Sequence, residues 1–402
     1  MAALTADRII DFPVSDEALL SRARALRGLL SKNARDADAN RRIPDENIKA
    51  MEEAGLFRVQ RPRRFGGHQA SLRTTLEVAA ELARGCGSSS WVFTLANVGD
   101  WIVSLMPDTF QEEYFNSRTH PKSAGALATT GQGRRVDGGY KVSGGWSYCS
   151  GILHADYAGG SFVMLDEHGN MQGLGLAMIP ISEVDLKDTW HVVGMRGTGS
   201  NTFVINDVFV PDHRILNVIP ALGGQYMSEK NKAEPLHRAA FVPVFALVLV
   251  GPFLGMARAA LDYFMEKLPS RGIAYTKHVK QIDAPITQFQ LSKAAILIDG
   301  AHLHAYRAAD DIDSAAQSGV YPDPVRRARI RMDCAQAVDQ AKEAINLLVQ
   351  ASGSSFAAES SPLQRIWRDV NTAASHAVLD YNVNLELYGR IILGLEPNTD
   401  LL

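Results

Sequence analysis

Residues 190–202 read Trp-His-Val-Val-Gly-Met-Arg-Gly-Thr-Gly-Ser-Asn-Thr, and the chain runs on to Asp-Val-Phe-Val-Pro at residues 207–211. The first part is a glycine-rich turn, and the second is a run of β-branched and aromatic residues that is typical of a strand. Glycines that do not open a helix lack the context of a dinucleotide-binding fingerprint. This segment therefore predicts two strands joined by a tight turn, and no Rossmann-type nucleotide site.

The same texture extends on both sides of this turn, from about residue 120 to residue 218. Short runs rich in Val, Ile, Tyr and Phe alternate with glycine-containing turns, and residues 137–139 and 167–170 are hairpin signals. No stretch of helical periodicity separates these runs. The pattern favours a small antiparallel barrel or sandwich in the middle of the chain.

Helical patterns lie before and after this β-rich block. Before it, apolar residues recur at helical spacing in residues 15–35, 72–82 and 88–105. After it, we predict long helices over residues 239–267, 286–312, 324–351 and 362–388. We therefore expect an α+β chain with an N-terminal helical domain (residues 1–118), a central β domain (119–230) and a C-terminal helical bundle (231–402).

Composition and charge argue against several classes of protein. The chain has 402 residues and a net charge of −3, from 41 Lys and Arg against 44 Asp and Glu, so no basic excess supports nucleic-acid binding. Cys86, Cys149 and Cys334 form no C-x-x-C pair or His cluster, so we expect a reducing, cytoplasmic setting and no metal site. We interpret the uncharged residues 239–257 as the buried centre of the bundle and expect neither a membrane span nor a secretory signal.

Three further segments carry a resemblance to a known family. They are Gly-Gly-Trp-Ser-Tyr-Cys-Ser-Gly at residues 144–151, Gly-Met-Ala-Arg-Ala-Ala-Leu-Asp at 255–262 and Leu-Gln-Arg-Ile-Trp-Arg-Asp at 363–369. With the turn at residues 194–202, their order and spacing resemble the acyl-CoA dehydrogenase superfamily over nearly the whole chain. The resemblance implies an N-terminal helical domain, a central antiparallel β-barrel or sandwich and a C-terminal four-helix bundle.

Two departures from the dehydrogenase pattern favour another branch of that superfamily. Many acyl-CoA dehydrogenases carry a Glu before a Gly-Thr in the last helical region, as the base that removes the substrate's α-proton, but residues 370–384 lack this motif and contain His376. The form Trp-Ser-Tyr-Cys-Ser-Gly at residues 146–151 also resembles the group D two-component flavin-dependent monooxygenases, which include p-hydroxyphenylacetate and steroid-phenol hydroxylases. The resemblance implies an enzyme, the oxygenase component of a homotetrameric monooxygenase.

This branch also implies the cofactor, the partner and the reaction. Reduced FMN (FMNH2) or FADH2 would come from a separate NAD(P)H:flavin reductase and react with O2 to a C4a-hydroperoxyflavin, which hydroxylates an aromatic, phenolic substrate. Ser150 would contact the flavin N5. His376 would assist either oxygen activation or phenol deprotonation, since an imidazole titrates near neutral pH. The implied flavin contacts are Trp91, Gly125, Ala126, Leu127, Tyr148, Cys149, Ser150, Arg271, Ser354, Ser355, His376 and Ala377.

Three other functions stay open at this stage. The chain also fits an acyl-CoA dehydrogenase-type flavin oxidoreductase, a monooxygenase of the same fold that acts on nitrogen, sulfur or an indole, or a non-catalytic helical scaffold. Trp91 equally fits a core aromatic residue, and Arg271 fits an ordinary arginine at a helix end. The substrate pocket is expected to draw on residues 92–101, residues 223–227 and the segment after Tyr388.

Overall fold

A computed structural model describes residue 5 and residues 16–402 of the chain. Ser15, the first residue of the earliest expected helix, lies outside this part. Helices, a sheet and more helices follow one another along the sequence, which confirms the expected fold class. The limits of the three expected domains stay predictions.

The N-terminal part is helical, and its helices begin at polar caps. The side chain of Asp16 accepts a hydrogen bond from the backbone N–H of Leu19, and Ser71 does the same for Thr74. The fourth helix is almost entirely buried, because it contacts the third helix, the sheet and the C-terminal helices. The helices are α1 (Glu17–Asn40), α2 (Asp45–Glu53), α3 (Leu72–Ala83), α4 (Gly87–Leu105) and α5 (Asp108–Asn116).

A seven-stranded sheet occupies the middle of the chain. Its strands are β1 (Ser123–Val136), β2 (Gly139–Trp146), β3 (Tyr157–Leu165), β4 (Met171–Pro180), β5 (Asp185–Lys187), β6 (Thr202–Pro211) and β7 (Ile215–Asn217). Their order across the sheet is β5-β6-β2-β1-β3-β4-β7.

One strand pair departs from the antiparallel arrangement expected from the sequence. The paired strands run antiparallel except β1 and β3, which run parallel, so the sheet is mixed. The turn at residues 137–139 is a hairpin and makes β1 and β2 antiparallel. Residues 147–156 are too long for a hairpin and instead return the chain to the far side of β1.

The C-terminal part is helical again. Its helices are α6 (Val218–Leu222), α7 (Phe241–Val248), α8 (Gly251–Lys267), α9 (Pro285–Ser318), α10 (Pro324–Ala351), α11 (Pro362–Ala373) and α12 (Tyr381–Ile392). Two expected helices are each split in two. Residues 239–267 break between α7 and α8, and residues 362–388 break between α11 and α12, where His376 lies in the connection.

The uncharged segment lies in the interior of this helical part. Phe241–Ser270 is long and apolar enough to cross a membrane, with a mean hydropathy of 2.0 in its most apolar window, and 83% of that window is buried inside the protein. A core helix of a soluble protein has the same properties. The burial agrees with the expected role as the centre of the helical part.

Candidate active site

A cavity of about 750 Å³ lies where the helices meet the sheet. Its walls come from α4, from β1, from the turns that follow β2 and precede β6, from α7 and from the connection after α11. Most of the wall is apolar, with Leu95, Ile102, Met178, Phe241 and Phe245 among its residues. Within the described part of the chain, the wall has no Asp, Glu, Lys or Arg, and its titratable side chains are Tyr148 and His376.

Ser150 is held at this cavity by a pair of interlocking turns. Tyr148 and Gly151 have φ angles of 64° and 80°, so the chain bends sharply on either side of the serine. The N–H of Cys149 donates to the carbonyl of Asn201 (3.2 Å), and the N–H of Gly151 donates to the carbonyl of Thr198 (2.8 Å). The turn after β2 is therefore fixed against the glycine-rich turn before β6.

Trp91 links Ser150 to helix α4 and to His376. Its indole Nε1–H donates to the Ser150 hydroxyl (3.2 Å), and its ring centroid lies 6.0 Å from that of His376. A residue of the N-terminal helices, one of the sheet region and one of the last helices thus meet at one cavity. As for most buried indoles, the N–H of Trp91 has a polar partner, and here that partner is the Ser150 hydroxyl at the cavity.

His376 caps a short 3-10 turn, Ala377–Leu379, in the connection between α11 and α12. Its Nδ1 accepts a hydrogen bond from the backbone N–H of Val378 (3.4 Å), which leaves the proton of the neutral ring on Nε2. The ring is accessible from the cavity, but the surrounding protein lowers the pKa of His376 to about 4 by desolvation. His376 is therefore a neutral imidazole at physiological pH.

Eight of the predicted site residues line this cavity. They are Trp91, Gly125, Ala126, Leu127, Tyr148, Ser150, His376 and Ala377. Tyr148 is largely exposed, and its ring packs edge-on against Trp190 with centroids 5.9 Å apart.

Cys149, a predicted flavin contact, lies in the core of the sheet and not at the cavity. Cys149 is fully buried in the sheet core, where its Sγ donates to the Trp146 carbonyl (3.3 Å), and it is not among the cavity residues. Burial raises the pKa of this thiol to about 12, so it stays protonated. Its neighbours Tyr148 and Ser150 both line the cavity, so the middle residue of the three is the one that faces the sheet core.

Three other predicted contacts form a separate group, away from the cavity. The Arg271 guanidinium donates to the carbonyl of Ser352, and the Ser355 hydroxyl donates to the same carbonyl (3.1 Å), with Ser354 in the turn between them. None of the three lines the cavity described above. The structure therefore joins them to one another and not to Ser150 and His376.

Two of the three segments expected at the substrate pocket line this cavity. Leu95, Val98 and Gly99 of the segment 92–101 line the cavity, and so does Leu401 from the segment after Tyr388. Residues 223–227 do not line it, because this loop packs on Tyr321, whose hydroxyl donates to the Leu222 carbonyl (2.8 Å).

Several hydroxyl residues that line the cavity were not predicted from the sequence, and two of them are linked to Ser150 by hydrogen bonds. Thr198 and Ser200 both line the cavity and belong to the glycine-rich turn quoted first. The feature of the sequence that could have indicated them is the presence of two hydroxyl residues within a tight glycine-rich turn. Their place beside Ser150 depends on the pairing of two turns that are distant in sequence.

Comparison with known proteins identifies the family. Family models described as the N-terminal and the C-terminal domain of acyl-CoA dehydrogenase match residues 16–117 and 247–381. The chain belongs to the acyl-CoA dehydrogenase superfamily.

Relatives within this superfamily are monooxygenases. The oxygenase subunit HsaA of a flavin-dependent monooxygenase from Rhodococcus jostii is 32% identical, over 95% of this chain and 99% of that protein. The oxygenase component of p-hydroxyphenylacetate 3-hydroxylase from Acinetobacter baumannii is 28% identical, over 96% of this chain and 91% of that protein. XiaF from a Streptomyces species, solved with FADH2 and glycerol, has a TM-score of 0.90 and 36% identity, over 96% of this chain and 97% of that one. The resemblance to the monooxygenase branch is thereby confirmed.

The cavity of this superfamily member suits a flat heteroaromatic ring. A Cβ at Gly125 would lie 2.1 Å from the Gly159 carbonyl oxygen, so the backbone of β1 stays bare at the cavity wall. Strand β1 shifts register against β3 between Ala126 and Gly131, and its pairing with β2 begins at Gln132. Residues 127–130 therefore pair with neither neighbouring strand. Leu127 and Ala128 of this stretch line the cavity, and their backbone, the Ser150 hydroxyl and the Trp91 ring fit the polar edge and the face of an isoalloxazine.

Proposed function

We propose that this chain is the oxygenase component of a two-component flavin-dependent monooxygenase that hydroxylates a phenolic aromatic substrate. The observation that carries the proposal is the meeting of Ser150 and His376 at one apolar cavity whose described wall has no carboxylate. The relatives HsaA and p-hydroxyphenylacetate 3-hydroxylase are named for reactions of this class.

The absence of a carboxylate among the described wall residues argues against the dehydrogenase alternative. Removal of an α-proton from a thioester needs a base strong enough to take it, and in acyl-CoA dehydrogenases that base is a Glu. Here the described wall places the imidazole of His376 beside Trp91 and has no carboxylate that could serve as that base. A neutral imidazole is better suited to hydrogen bonding with a reduced oxygen species or a phenol than to abstracting a carbon-bound proton.

The cofactor of the proposal is reduced flavin, FMNH2 or FADH2, and the FADH2 bound to XiaF favours FADH2. When bound, reduced flavin supplies the two electrons with which O2 is activated. Trp91, Ser150 and the backbone of residues 125–128 would hold its ring, and a separate NAD(P)H:flavin reductase would supply it.

The residues of this chain have three tasks in the reaction. The apolar side chains of α4 and α7 exclude water, so that reducing equivalents reach the substrate instead of being lost as hydrogen peroxide. The Ser150 oxygen holds an N–H group of the cofactor. The His376 Nε2–H donates a hydrogen bond to oxygen or to the phenol oxygen, which orients the ring carbon that is hydroxylated.

Assembly into a cytoplasmic homotetramer is part of the proposal. Helix α9 carries exposed apolar side chains at Ile286, Phe289, Ile296 and Leu303, all more than half exposed and spaced as one face of a helix. A second copy of the chain would cover this face. Arg271 with the turn at residues 353–355 would then be available to the phosphate of a flavin held by a neighbouring copy.

A single experiment tests the reaction class. The protein is mixed anaerobically with reduced flavin and a panel of phenols and indoles, exposed to oxygen-18 gas, and the products are analysed by mass spectrometry. We expect one labelled oxygen atom in a hydroxylated phenol. Labelling of a heteroatom or of an indole would overturn the phenol assignment. In a second, anaerobic sample with oxidised flavin, loss of the flavin absorbance on adding an acyl-CoA would overturn the monooxygenase assignment.

A further inference from the structure

A chain of three buried hydroxyls leads inward from the cavity. The Ser150 Oγ lies 2.6 Å from the Ser200 Oγ, which lies 2.6 Å from the Thr198 Oγ1. The Thr198 hydroxyl donates to the Met195 carbonyl (2.8 Å). At the other end, the Trp91 indole N–H donates to Ser150.

The hydrogen bonds of this chain have one favoured direction. Each hydroxyl has a single proton to donate. Because Thr198 uses its proton on the Met195 carbonyl, Ser200 must donate to Thr198, and Ser150 must donate to Ser200. Trp91 can only donate, so the Ser150 oxygen is left with a lone pair and no proton for the cavity.

The opposite direction is less favourable by one hydrogen bond. If Thr198 donated to Ser200 and Ser200 to Ser150, the proton of Ser150 would point into the cavity, and the bond from Thr198 to Met195 would be lost. The Met195 carbonyl is held in place for that bond, because the N–H of Met195 donates to Asp369 of α11 (2.5 Å). The fold thus biases Ser150 towards being an acceptor.

We propose that Thr198 and Ser200 are positioning residues that set Ser150 as a hydrogen-bond acceptor towards the flavin ring. A reduced isoalloxazine carries an N–H at N5, whereas the oxidised ring has only a lone pair at that atom. An acceptor at Ser150 therefore pairs with the reduced ring and opposes the oxidised one. The inference rests on the proposed function.

A higher affinity for reduced than for oxidised flavin bears on how flavin passes between the reductase and this chain. The Ser150 acceptor would hold the reduced ring that the reductase supplies. It would hold the oxidised ring less tightly, because N5 of that ring carries no proton. A loss of affinity on oxidation therefore favours turnover of the shared cofactor.

The experiment compares the affinities of both redox states in the same protein. Dissociation constants for oxidised and reduced FAD, and likewise FMN, are measured by anaerobic fluorescence and ultrafiltration on the full chain, its Thr198→Val and Ser200→Ala variants, and Thr198→Ser. Thr202→Val is the matched control, because Thr202 lies in the adjoining strand and bonds to Thr189 and Ser147 outside the hydroxyl chain. Circular dichroism checks that each variant is folded.

We expect the ratio of the oxidised to the reduced dissociation constant to exceed one in the unaltered protein. It should fall about three- to tenfold in Thr198→Val and Ser200→Ala, the worth of one neutral hydrogen bond. Thr198→Ser and Thr202→Val should keep it. Because the quantity is a ratio within one protein, a general weakening of the site cancels.

The outcomes separate this inference from the proposed function. If both flavins bind but the ratio is the same in Thr198→Val, Ser200→Ala and the unaltered protein, the hydroxyl chain has no such role and the monooxygenase proposal stands. An equal fall in Thr198→Ser would assign the effect to packing and would also overturn the inference. If the unaltered protein binds neither flavin, both proposals fail together.

Discussion

His376 carries its chemistry as a neutral imidazole whose proton is on Nε2, since Nδ1 accepts from Val378. Desolvation alone is responsible for the low pKa of about 4, and no charged partner offsets it among the described residues. In the proposed reaction this residue would therefore act as a hydrogen-bond donor without first taking up a proton.

We expect His376→Ala to lower the rate of hydroxylated product formation by about 10²-fold or more, because a group that assists proton movement contributes that much to the rate. Flavin binding should persist, since Trp91, Ser150 and the β1 backbone are unchanged. The measurement is product formed per reduced flavin consumed, with hydrogen peroxide counted separately. His168→Ala, on an exposed hairpin, is the control and should behave as the unaltered protein. Near-normal product yield in His376→Ala would remove this residue from the reaction.

At the scale of single residues, motifs predicted the cavity well where backbone and side chain follow the family pattern. Trp91, Ser150 and His376 are far apart in sequence and meet as the resemblance implies. Cys149 differs because its thiol lies in the sheet core, whereas its two neighbours Tyr148 and Ser150 line the cavity. The acceptor character of Ser150 also lies beyond sequence reasoning, because it depends on the order of three hydroxyl bonds.

The glycine-rich turn at residues 194–202 packs directly against the backbone of helix α11. A Cβ at Gly194 would lie 2.1 Å from the Arg368 carbonyl oxygen. Arg368 in turn donates to the Val193 carbonyl (2.5 Å) and pairs with Asp38 of α1 (2.9 Å). This contact fixes the turn that holds Thr198 and Ser200, and it also positions the connection that carries His376.

We expect Gly194→Ala to destabilise the protein by about 1–3 kcal/mol, because the added methyl overlaps a backbone atom that has no room to move. Gly28→Ala is the matched control: it lies in the middle of α1 with open space at its Cβ, and it should stabilise the protein by about 0.5–1 kcal/mol. Urea unfolding of both variants measures the two effects. Equal stability of Gly194→Ala and the unaltered protein would mean that the turn and α11 are not tightly coupled.

At the scale of elements, periodicity predicted where helices exist but not where they break. Residues 362–388 keep an apolar spacing, yet α11 ends at Ala373 because Ser375 donates to the Thr372 carbonyl. A new helix then begins where Asp380 caps the N–H of Val383. The parallel pairing of β1 with β3 was likewise missed, because it depends on the path of residues 147–156 through three dimensions.

The folded protein buries both histidines and aspartates, which the small net charge does not reveal. Burial lowers the pKa of His154 and His237 to about 4 and that of His302 to about 3. It raises the pKa of Asp100, Asp313 and Asp369 to about 6. Composition counts these groups but cannot tell which of them folding removes from water.

These two sets act on stability in opposite directions as the pH falls. As the pH falls, a histidine in the unfolded chain takes up its proton near pH 6.5, before the buried one does. Each buried histidine therefore lowers the free energy of unfolding of the protein between pH 6.5 and about 4. A buried aspartate with a pKa of about 6 is protonated first in the folded protein. It therefore raises the free energy of unfolding as the pH falls from about 6 to 3.8, the ordinary pKa of an aspartate. The opposing effects flatten the pH profile of the unaltered protein.

Single variants uncover the two opposing contributions. His237 is buried, its pKa is lowered by desolvation and by the charge of Arg64, and its Nδ1 lies 2.7 Å from the Ser104 hydroxyl. Between pH 7 and pH 5 the unaltered protein should lose about 2 kcal/mol of unfolding free energy relative to His237→Asn, at about 1.4 kcal/mol per pH unit below 6.5. Over the same interval it should gain about 1 kcal/mol relative to Asp313→Asn, since burial and Asp310 raise the pKa of Asp313. Urea unfolding at both pH values measures the differences, and parallel pH profiles of the three proteins would contradict the assignment of these two groups.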